Sequence, residues 1–327
     1  MSSDAWLKDR KVLVAGGTGF VGVNLINRLL DLGADVRATL HNREPVINDD
    51  RIEYVRVDLT EAEDCAKAVE GIEYVFMFAA NTSGAAVMEK TPLAHVTPNV
   101  IMNTLMLEAA HKAGVLKYLW PSSNTVYPSS DNPVKEDEMM SGPPFEKYFS
   151  VAWMKRFGEI LCEMYSTKIK NPMTTVVVRP ANIYGIYDDF AWETSHVVPA
   201  LIRKVIERHD PLEVWGDGND IKDLIYVEDF VEGILLAMEK VSTFDPINIG
   251  TGIPVTVKNV LAAALEADGY TDAKIVFNDS KPSMIPKRLI DVSKAERVLG
   301  FSATTPLKEG IKKTVEWYKK IYPHGYQ

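Results

Sequence analysis

The sequence predicts an α/β protein with a doubly wound parallel sheet of Rossmann type and a smaller C-terminal α/β lobe. In the first half, short apolar runs rich in β-branched residues alternate with helical stretches, and parallel strands need such crossovers. A glycine-rich turn, GGTGFVG at 16–22, joins the first of these strands to the first helix. We place the first domain at residues 1–180 and the smaller lobe at 181–327, with some crossing of the chain between them.

The elements of the first domain follow from the apolar pattern, taken in order. Strands are predicted at KVLVAGG, DVRATLHN, IEYVRVDL, YVFMFAA, YLWPSS and MTTVVVRP. Helices are predicted at GVNLINRLLDLG, AEDCAKAVEG, TPNVIMNTLMLEAAHKAG and residues 150–167. This alternation is typical of a parallel sheet covered by helices on both faces.

After Pro180 the order becomes less regular. A helix is predicted at HVVPALIRKVIER, strand-like segments at LEVWG and DLIYV, and another helix from Glu228 to about Lys240. The remaining chain, with PVTVKNVLAAALEADG, AKIVFN and PLKEGIKKTVEWYKKIY, combines amphipathic helices with one or two strands. It is expected to form a smaller lobe packed on the first domain.

The composition indicates a globular protein with a large core. The chain has 327 residues, 46% of them hydrophobic, and no apolar run of the roughly 18–20 residues that span a bilayer. A net charge of −9 disfavours nonspecific nucleic-acid and membrane-surface binding, because both partners are polyanions. The N-terminus enters a strand without an apolar signal segment, so the expected location is the cytoplasm.

Cys65 and Cys162 are the two cysteines of the sequence. They are far apart and lack any Cys-x-x-Cys or Cys/His spacing, so neither a disulfide framework nor a metal site is predicted. Both are expected to be reduced core residues.

The glycine-rich turn predicts a dinucleotide cofactor. Gly16, Gly19 and Gly22 lie between a strand and a helix that begins near Phe20 and Val21. Glycines there allow a tight turn and a close approach of the backbone to pyrophosphate, whose charge is stabilised at the helix N-terminus.

The residues after the second strand favour NADP(H), with NAD(H) left open. An acidic residue that would accept hydrogen bonds from the ribose of NAD is missing there, and His41, Asn42 and Arg43 stand at this point instead. Cationic and donor groups suit a 2′-phosphate. Arg37 and Arg43 are each also readable as solvated surface charges.

Several further motifs occur in a fixed order along nearly the whole chain. They are VDL at 57–59, FMFAA at 76–80, WPSSNTVYP at 120–128, Lys155, RPANIYG at 179–185, YVEDF at 226–230 and NIGTG at 248–252. With them the chain resembles the extended short-chain dehydrogenase/reductases that act on nucleotide sugars, and YDDFAWETSHVVPALIRK is similar to a segment of GDP-L-fucose synthases. The resemblance implies an oxidoreductase or epimerase that works through a 4-keto sugar with a bound nicotinamide cofactor.

The same resemblance implies a role for each matching position. Asp58 and Leu59 would flank the adenine, Ala79 and Ala80 would lie against the cofactor, and Asn99 would support the active-site water or backbone network. Ser123 would hydrogen-bond the reacting sugar oxygen, Lys155 would hold the nicotinamide ribose, and His196 would act as an acid/base group. The residues implied for the nucleotide sugar are Asn182, Lys222 and Arg288.

Two departures from the family pattern concern the chemistry itself. Val151 stands where the family has the tyrosine that exchanges a proton with the sugar oxygen, and Thr125 stands where fucose synthases have a cysteine. Tyr148 is the nearest phenol that could replace the tyrosine, if the helix begins irregularly after the two prolines of SGPPFEKYFS; it could equally be a packing aromatic. Thr125, Tyr127 and His196 are further candidates for the proton, although a histidine at a helix start is also a common surface residue.

Three functions therefore remain open at this stage. The first is a nicotinamide-dependent nucleotide-sugar epimerase or reductase. The second is a member that binds dinucleotide and nucleotide sugar without turnover, as a sensor or partner subunit, and the third is altered chemistry such as dehydration. The resemblance also implies a homodimer whose seam is formed by the helices at 99–113 and 150–167.

Overall fold

A computed structural model describes residues 6–81, 91–281 and 285–326. In chain order the described strands are β1 (Lys11–Ala15), β2 (Asp35–Leu40), β3 (Ile52–Arg56), β4 (Tyr74–Met77), β5 (Lys117–Pro121), β6 (Thr174–Pro180), β7 (Asn182–Tyr184), β8 (Leu212–Trp215), β9 (Ile221–Lys222), β10 (Leu224–Tyr226), β11 (Ile247–Ile249), β12 (Val255–Thr256), β13 (Ile275–Asn278) and β14 (Lys287–Arg288). The described α-helices are α1 (Phe20–Asp31), α2 (Ala62–Val69), α3 (Pro92–Lys112), α4 (Phe149–Glu163), α5 (Val197–Ile206), α6 (Val227–Lys240), α7 (Val257–Asp268) and α8 (Leu307–Ile321).

The main architectural unit is a seven-stranded sheet in the order β11-β6-β5-β4-β1-β2-β3, with every neighbouring pair parallel. The strand order reverses between β1 and β4, because the chain runs outward from β1 to β3 and then returns to the other side of β1. In such sheets the crevice at this switch point, outside the carboxyl ends of the strands, is where ligands bind. The predicted doubly wound fold is confirmed.

Two apolar layers cover the sheet. On one face the core contains side chains of α1 and α6, including Leu25, Leu29 and Ile234. On the other face side chains of α2, α3 and α4 pack around Trp120, with Met106 among them. Cys65 and Cys162 are free and buried in this second layer, as predicted.

Helix α3 begins at Pro92, five residues before its predicted start, and it contains Pro98. Proline has no N–H, so the carbonyl four residues earlier, that of Ala94, loses its helical donor. The side-chain nitrogen of Asn81 lies 3.3 Å from this carbonyl and donates to it instead. Helix α4 ends earlier than predicted, at Glu163, and a wider π-type turn follows at Met164–Lys168.

The C-terminal lobe is built from small sheets of two or three short strands and three helices. Its sheets are β10-β7, β12-β9-β14 and β13-β8, and α5, α7 and α8 enclose a separate core. Strand β11 belongs to this half of the sequence but pairs with β6 in the large sheet. The chain therefore returns to the large sheet after forming part of the C-terminal lobe. Within the described ranges, none of the helices is long and apolar enough to cross a membrane.

Candidate active site

The glycine-rich turn lies at the carboxyl end of β1 and begins α1 at the switch point. Gly16 has a φ of +88°, and a Cβ added to it would lie 2.6 Å from the Ala79 nitrogen. A Cβ at Gly22 would collide with the Gly16 carbonyl oxygen. The Gly19 N–H donates to this oxygen at 3.0 Å, and Phe20 and Val21 form the first residues of α1. Only glycine fits the two tightest positions, and the turn presents backbone and a helix N-terminus to the crevice.

The end of β2 carries the residues predicted for the adenosine ribose. His41, Asn42 and Arg43 are all exposed there. His41 Nε2 lies 3.7 Å from a carboxylate oxygen of Asp58, at the end of the neighbouring β3. Two more charges, missed in the sequence, lie close by: Arg56 donates to the His41 carbonyl and pairs with Glu44 at 2.7 Å.

Arg37 is not part of this group. Its Nε pairs with Glu53 at 2.9 Å, and one terminal nitrogen donates to the carbonyls of Ala68 and Glu70 at 3.2 and 2.8 Å. It fastens β2 to the end of α2, so of the two arginines considered for the ribose only Arg43 remains a candidate.

Asp58 and Leu59 follow β3. Asp58 accepts from the backbone and hydroxyl of Thr60 at 2.9 and 2.7 Å, and these bonds lower its pKa. Leu59 is buried, and its carbonyl accepts from the Cys65 thiol at 3.2 Å. The pair thus forms a rigid turn at the edge of the crevice.

The end of β4 is held by Asn99. Ala79 is half-buried beside Gly16 and Ala80 is exposed. Asn99 is 2% exposed; its oxygen accepts from the Asn81 N–H at 2.9 Å and its nitrogen donates to the Asn81 and His95 carbonyls, each at 2.8 Å. It therefore supports the backbone around the crevice, and its own polar atoms are engaged there.

The end of β5 brings together Ser123, Thr125 and Asn182. The Ser123 hydroxyl oxygen accepts from the Thr125 N–H at 3.1 Å and from the Thr125 hydroxyl at 2.9 Å. Asn124 donates to the Pro180 carbonyl and to the Asn182 side-chain oxygen, both at 3.1 Å. Asn182 is exposed at the start of β7. The hydroxyls of Ser123 and Thr125 are thus tied to each other at the crevice.

Lys155 extends from α4 to this same strand end. Its ammonium donates to the Pro121 carbonyl at 2.7 Å and lies 4.5 Å from the centre of the Trp120 ring. Burial lowers the pKa of Lys155 to about 8, with Glu159 one turn further along the helix opposing the shift. Val151 lies one helical turn before Lys155, so both face the same side of α4.

Tyr148 lies at the irregular entry of α4, at the end of a single 3₁₀ turn, Glu146–Tyr148. Burial raises the pKa of its phenol, while the Ile285 backbone and Arg288 oppose the shift and Asp220 adds to it. The groups acting on the phenol thus belong to the C-terminal lobe. Lys222 in that lobe donates to the Ile285 carbonyl and lies 3.6 Å from Asp220.

Arg288 was expected to contact the nucleotide sugar, but its side chain is buried and bonds the protein backbone. It is 3% exposed, and its terminal nitrogens donate to the Pro128 and Tyr127 carbonyls at 2.9 and 3.1 Å. It is paired with Lys222 across β14 and β9. Arg288 therefore supports the loop after β5 in this structure, and Lys222 and Tyr148 lie beside it.

The Tyr127 hydroxyl does not face the crevice, which corrects one of the proton candidates. Tyr127 is fully buried; it donates to Asn248 at 2.6 Å and accepts from Arg179 at 2.9 Å. Arg179 in turn forms a buried ion pair with Glu159 at 2.6 Å, to which the Ser122 hydroxyl also donates. This network was not predicted, because its members come from four separate segments: the loop after β5, β6, β11 and α4.

His196 is the N-cap residue of α5. Its side chain is exposed. The protein around the ring lowers the pKa of the imidazole, with Asp189 opposing the shift.

A second histidine, His95, was missed in the sequence. It lies on α3 one turn before Asn99, it is 7% exposed, and neither ring nitrogen has a hydrogen-bond partner in the described structure. Its signal was present in the pattern, because His95, Asn99, Met102 and Met106 share one buried face of α3.

The site fits a dinucleotide. The turn at Gly16 and Gly22 has no room for a Cβ, polar side chains follow β2 and β3, and Lys155 lies at the end of β5. Asn182 bonds Asn124 at the same strand end.

Comparisons with known proteins agree with this geometry. The model of the NAD dependent epimerase/dehydratase family matches residues 12–250. A probable GDP-L-fucose synthase 1 of Oryza sativa subsp. japonica is 32% identical over 322 residues, covering 95% of this chain and 92% of the relative.

Two solved structures share the fold. The UDP-glucose 4-epimerase of Thermotoga maritima with UDP-glucose has a TM-score of 0.85 at 27% identity, over 95% of this chain and 99% of that one. The UDP-glucuronic acid 4-epimerase of Bacillus cereus, in complex with UDP-glucuronic acid and NAD, has a TM-score of 0.82 at 25% identity, over 95% and 100% of the two chains.

Proposed function

Because the chain belongs to the NAD dependent epimerase/dehydratase family, we propose that it is an enzyme that oxidises or reduces the sugar of a nucleotide sugar through a 4-keto species. When bound, the nicotinamide exchanges a hydride with the sugar carbon. The observation that supports this function best is the convergence, at one edge of the sheet, of the glycine cradle with Ser123 and Lys155. A protein that binds a dinucleotide for stability alone has no need of this second group.

The residues of the chain divide the remaining work. The Ser123 hydroxyl orients the reacting sugar oxygen, and Lys155 carries the positive charge next to it. Asn182 and Lys222 contact the nucleotide diphosphate from the C-terminal side, and Arg288 supports the loop after β5. Thr125 has no acidic thiol to offer, so we propose chemistry at the sugar C4 position rather than the paired epimerisation in which fucose synthases use a cysteine.

The direct test is a screen of GDP-, UDP- and dTDP-linked sugars and their 4-keto derivatives against the purified protein. Nicotinamide absorbance reports hydride transfer, and NMR of the product reports its stereochemistry. The proposal expects turnover of at least one nucleotide sugar and weaker dinucleotide binding in Lys155→Met. A protein that binds no nucleotide sugar at all would overturn it.

A second candidate function is favoured by Val151 alone: a subunit that binds both ligands without converting them. The same screen separates the two. Binding in calorimetry together with no hydride transfer for any sugar, in either direction, would support the binding subunit.

For the cofactor we propose a preference for NADP(H) over NAD(H). His41, Asn42 and Arg43 are exposed at the end of β2, and Arg56 lies beside them, so several donors and cations surround the expected position of a 2′-phosphate. Glu44 and Asp58 are also near, and their negative charges oppose the binding of a 2′-phosphate.

Arg43→Ala is expected to weaken NADP(H) binding about tenfold and to leave NAD(H) binding nearly unchanged, because it removes one charge-assisted phosphate contact. Calorimetry with both cofactors measures this. Arg51→Ala removes an exposed arginine that is paired with Asp49 and serves as the control. Equal affinities of the wild type for both cofactors would contradict the preference.

We also propose a homodimer. Phe149, Trp153, Phe157 and Ile160 recur at helical spacing along α4, and each is more than two-fifths exposed. Met164, just after the helix, continues the same stripe. An exposed apolar stripe of this length is typical of a protein–protein interface.

A further inference from the structure

Four polar side chains form two hydrogen-bonded pairs at the carboxyl end of β5: Ser123 with Thr125, and Asn124 with Asn182. Ser123 and Thr125 are half-buried, whereas Asn124 between them is buried. Each hydrogen bond has a direction, and that direction decides whether a side chain can still donate to a ligand or accept from it.

The Ser123 oxygen accepts two hydrogen bonds from Thr125. One comes from the Thr125 N–H at 3.1 Å, at the start of the 3₁₀ turn Asn124–Val126, whose N-cap residue is Ser123. The other comes from the Thr125 hydroxyl at 2.9 Å. A hydroxyl oxygen has two acceptor lone pairs and one hydrogen, so both lone pairs of Ser123 are occupied. Only the hydrogen of this hydroxyl remains for a ligand.

The main chain holds the first of these bonds in place. The Val126 N–H donates to the Ser123 carbonyl at 3.3 Å, which closes the turn, and the Val126 side chain is fully buried. The hydrogen of the Thr125 N–H lies in the plane of its peptide, so it cannot rotate away from Ser123. The Thr125 hydroxyl is therefore the one movable group that decides whether the second lone pair of Ser123 is free.

The neighbouring acceptors are already engaged. The Asn124 atom that lies 3.1 Å from the Pro180 carbonyl oxygen is the side-chain nitrogen, because a carbonyl oxygen only accepts. The same nitrogen donates to the Asn182 side-chain oxygen at 3.1 Å. The Lys155 ammonium donates to the Pro121 carbonyl at 2.7 Å. None of these oxygens bonds the Ser123 hydroxyl, so its hydrogen has no partner among the described residues.

We propose that Thr125 is a positioning residue that fixes Ser123 as a hydrogen-bond donor toward the reacting oxygen of the nucleotide sugar, a role that rests on the proposed function. In this arrangement Ser123 has no lone pair with which to accept a proton from that oxygen. A thiol is a weak donor, so threonine at the position of the fucose-synthase cysteine holds Ser123 in this polarity more firmly.

The polarity distinguishes the states of the sugar oxygen. A ketone oxygen and an oxyanion only accept hydrogen bonds, so both match a serine that only donates. A sugar hydroxyl can also accept from Ser123, but its own proton has to go to a different group. Ser123 is thereby excluded as the replacement for the phenol that Val151 lacks. It acts instead as an oriented dipole for the negative charge that develops on the oxygen.

The first test removes the Thr125 hydroxyl and keeps the shape of the side chain. Thr125→Val is expected to lower turnover of the nucleotide sugar about tenfold, less than the hundredfold or more that follows the loss of a whole oxyanion donor. Thr125→Ser keeps the hydroxyl and should stay close to wild type. Equal turnover of the valine and serine variants would overturn the proposal.

Thr174→Val is the matched control for this substitution. Thr174 begins β6, at the end of the strand opposite to Pro180, and its hydroxyl donates to the Ser242 carbonyl at 3.3 Å. The change removes a hydrogen-bonded threonine hydroxyl of the same sheet away from the crevice. Turnover of Thr174→Val should equal that of wild type.

A double-mutant cycle separates orientation from packing. In the Ser123→Ala background, Thr125→Val is expected to have no further effect on turnover, because the hydroxyl that Thr125 orients is gone. Single-turnover nicotinamide absorbance measures the slow variants. A packing role would lower turnover by the same factor in both backgrounds, and that result would overturn the proposal.

A measurement without substrate or cofactor keeps this proposal separate from the function on which it rests. Neutron diffraction from a deuterated crystal of the ligand-free protein locates the hydroxyl hydrogens. Deuterium is expected on the Thr125 oxygen, directed at Ser123, with the Ser123 deuterium directed away from Thr125. Deuterium on the Ser123 oxygen and directed at Thr125 would overturn the assignment. If the expected arrangement is found but no nucleotide sugar is converted, the proposed function fails and the polarity of Ser123 stands.

Discussion

At position 151 a valine lies one helical turn before Lys155, where a phenol would normally meet the sugar oxygen. The other residues of the pattern are close together: the Thr125 hydroxyl donates to the Ser123 hydroxyl, and the Lys155 ammonium donates to the Pro121 carbonyl. The tyrosine of the family pattern is therefore the member of this group that a different residue replaces. Under the proposed function, the proton of the sugar oxygen needs another carrier, because valine cannot exchange it.

Restoring the phenol should raise turnover of the nucleotide sugar. Val151→Tyr is expected to raise turnover at least tenfold, because a phenol one turn from Lys155 can exchange the proton of the sugar oxygen. Stopped-flow nicotinamide absorbance measures this. Val151→Phe is the control, since it adds the ring without the hydroxyl. No difference between the tyrosine and phenylalanine variants would mean that residue 151 does not face the reacting oxygen.

Single residues were predictable from sequence only where a linear motif surrounds them. Lys155, Ser123 and the glycines lie in short recognisable stretches, and the structure brings them to one edge of the sheet. The family to which they pointed is confirmed by the match over residues 12–250. His95 lies in no such stretch, and its burial follows from the packing of α3 against the sheet.

Among the elements, α4 is joined to the sheet by a buried ion pair. Glu159 on α4 receives Arg179 of β6 through two hydrogen bonds, at 2.9 and 2.6 Å, and the Ser122 hydroxyl after β5 donates to the same carboxylate. The side chains of the pair are 2% and 1% exposed. Because Lys155 lies one turn before Glu159, this junction fixes Lys155 relative to the strand ends.

Arg179→Met is expected to lower the free energy of unfolding by about 3–5 kcal/mol, because it leaves the Glu159 carboxylate buried without its counter-charge. Urea denaturation at pH 7 measures the change. Arg10→Met is the control: it breaks an exposed pair with Glu73, which should cost at most about 1 kcal/mol. Similar losses in the two variants would contradict the assigned importance of the buried pair.

Long, strongly periodic elements were predicted correctly, and several of the shortest strands were missed. The six strands β1 to β6 and most helices carry enough apolar residues to show a period. Strands β7, β9 and β14 have two or three residues each, and β11 was noticed only as the NIGTG motif. Such strands are defined by their partners across the sheet, and this information is not local in sequence. The early start of α3 was missed because Pro98 argues against a helix that Asn81 in fact repairs.

On the scale of the whole molecule, the exposed stripe of α4 lies on the outside of the helix whose inner side carries Lys155. Phe149 and Trp153 contact each other edge-to-face, with ring centres 6.4 Å apart, and Arg156 lies over the Trp153 ring. The proposed dimer would cover this stripe and would thereby also stabilise the helix of the active site.

Trp153→Lys is expected to convert the dimer to a monomer at micromolar concentration, because it places a charge in the centre of the apolar seam. Light scattering coupled to size exclusion measures the mass. Ile321→Lys, an exposed apolar residue at the end of α8, is the control and should not change the mass. A wild type that is monomeric at all accessible concentrations would contradict the dimer.

The late position of β11 in the chain also governs the order in which the protein can mature on the ribosome. This strand borders β6, yet it is synthesised only after β7, β8, β9, β10, α5 and α6 have been made. Asn248 is part of this strand. Its side chain accepts from the Tyr127 hydroxyl and donates to the carbonyls of Val134 and Asp291. A nascent chain released at residue 180 would thus present an open sheet edge and an unfastened loop after β5. The cofactor half of the enzyme is therefore expected to become protease-resistant during translation only once residues beyond 291 have left the exit tunnel.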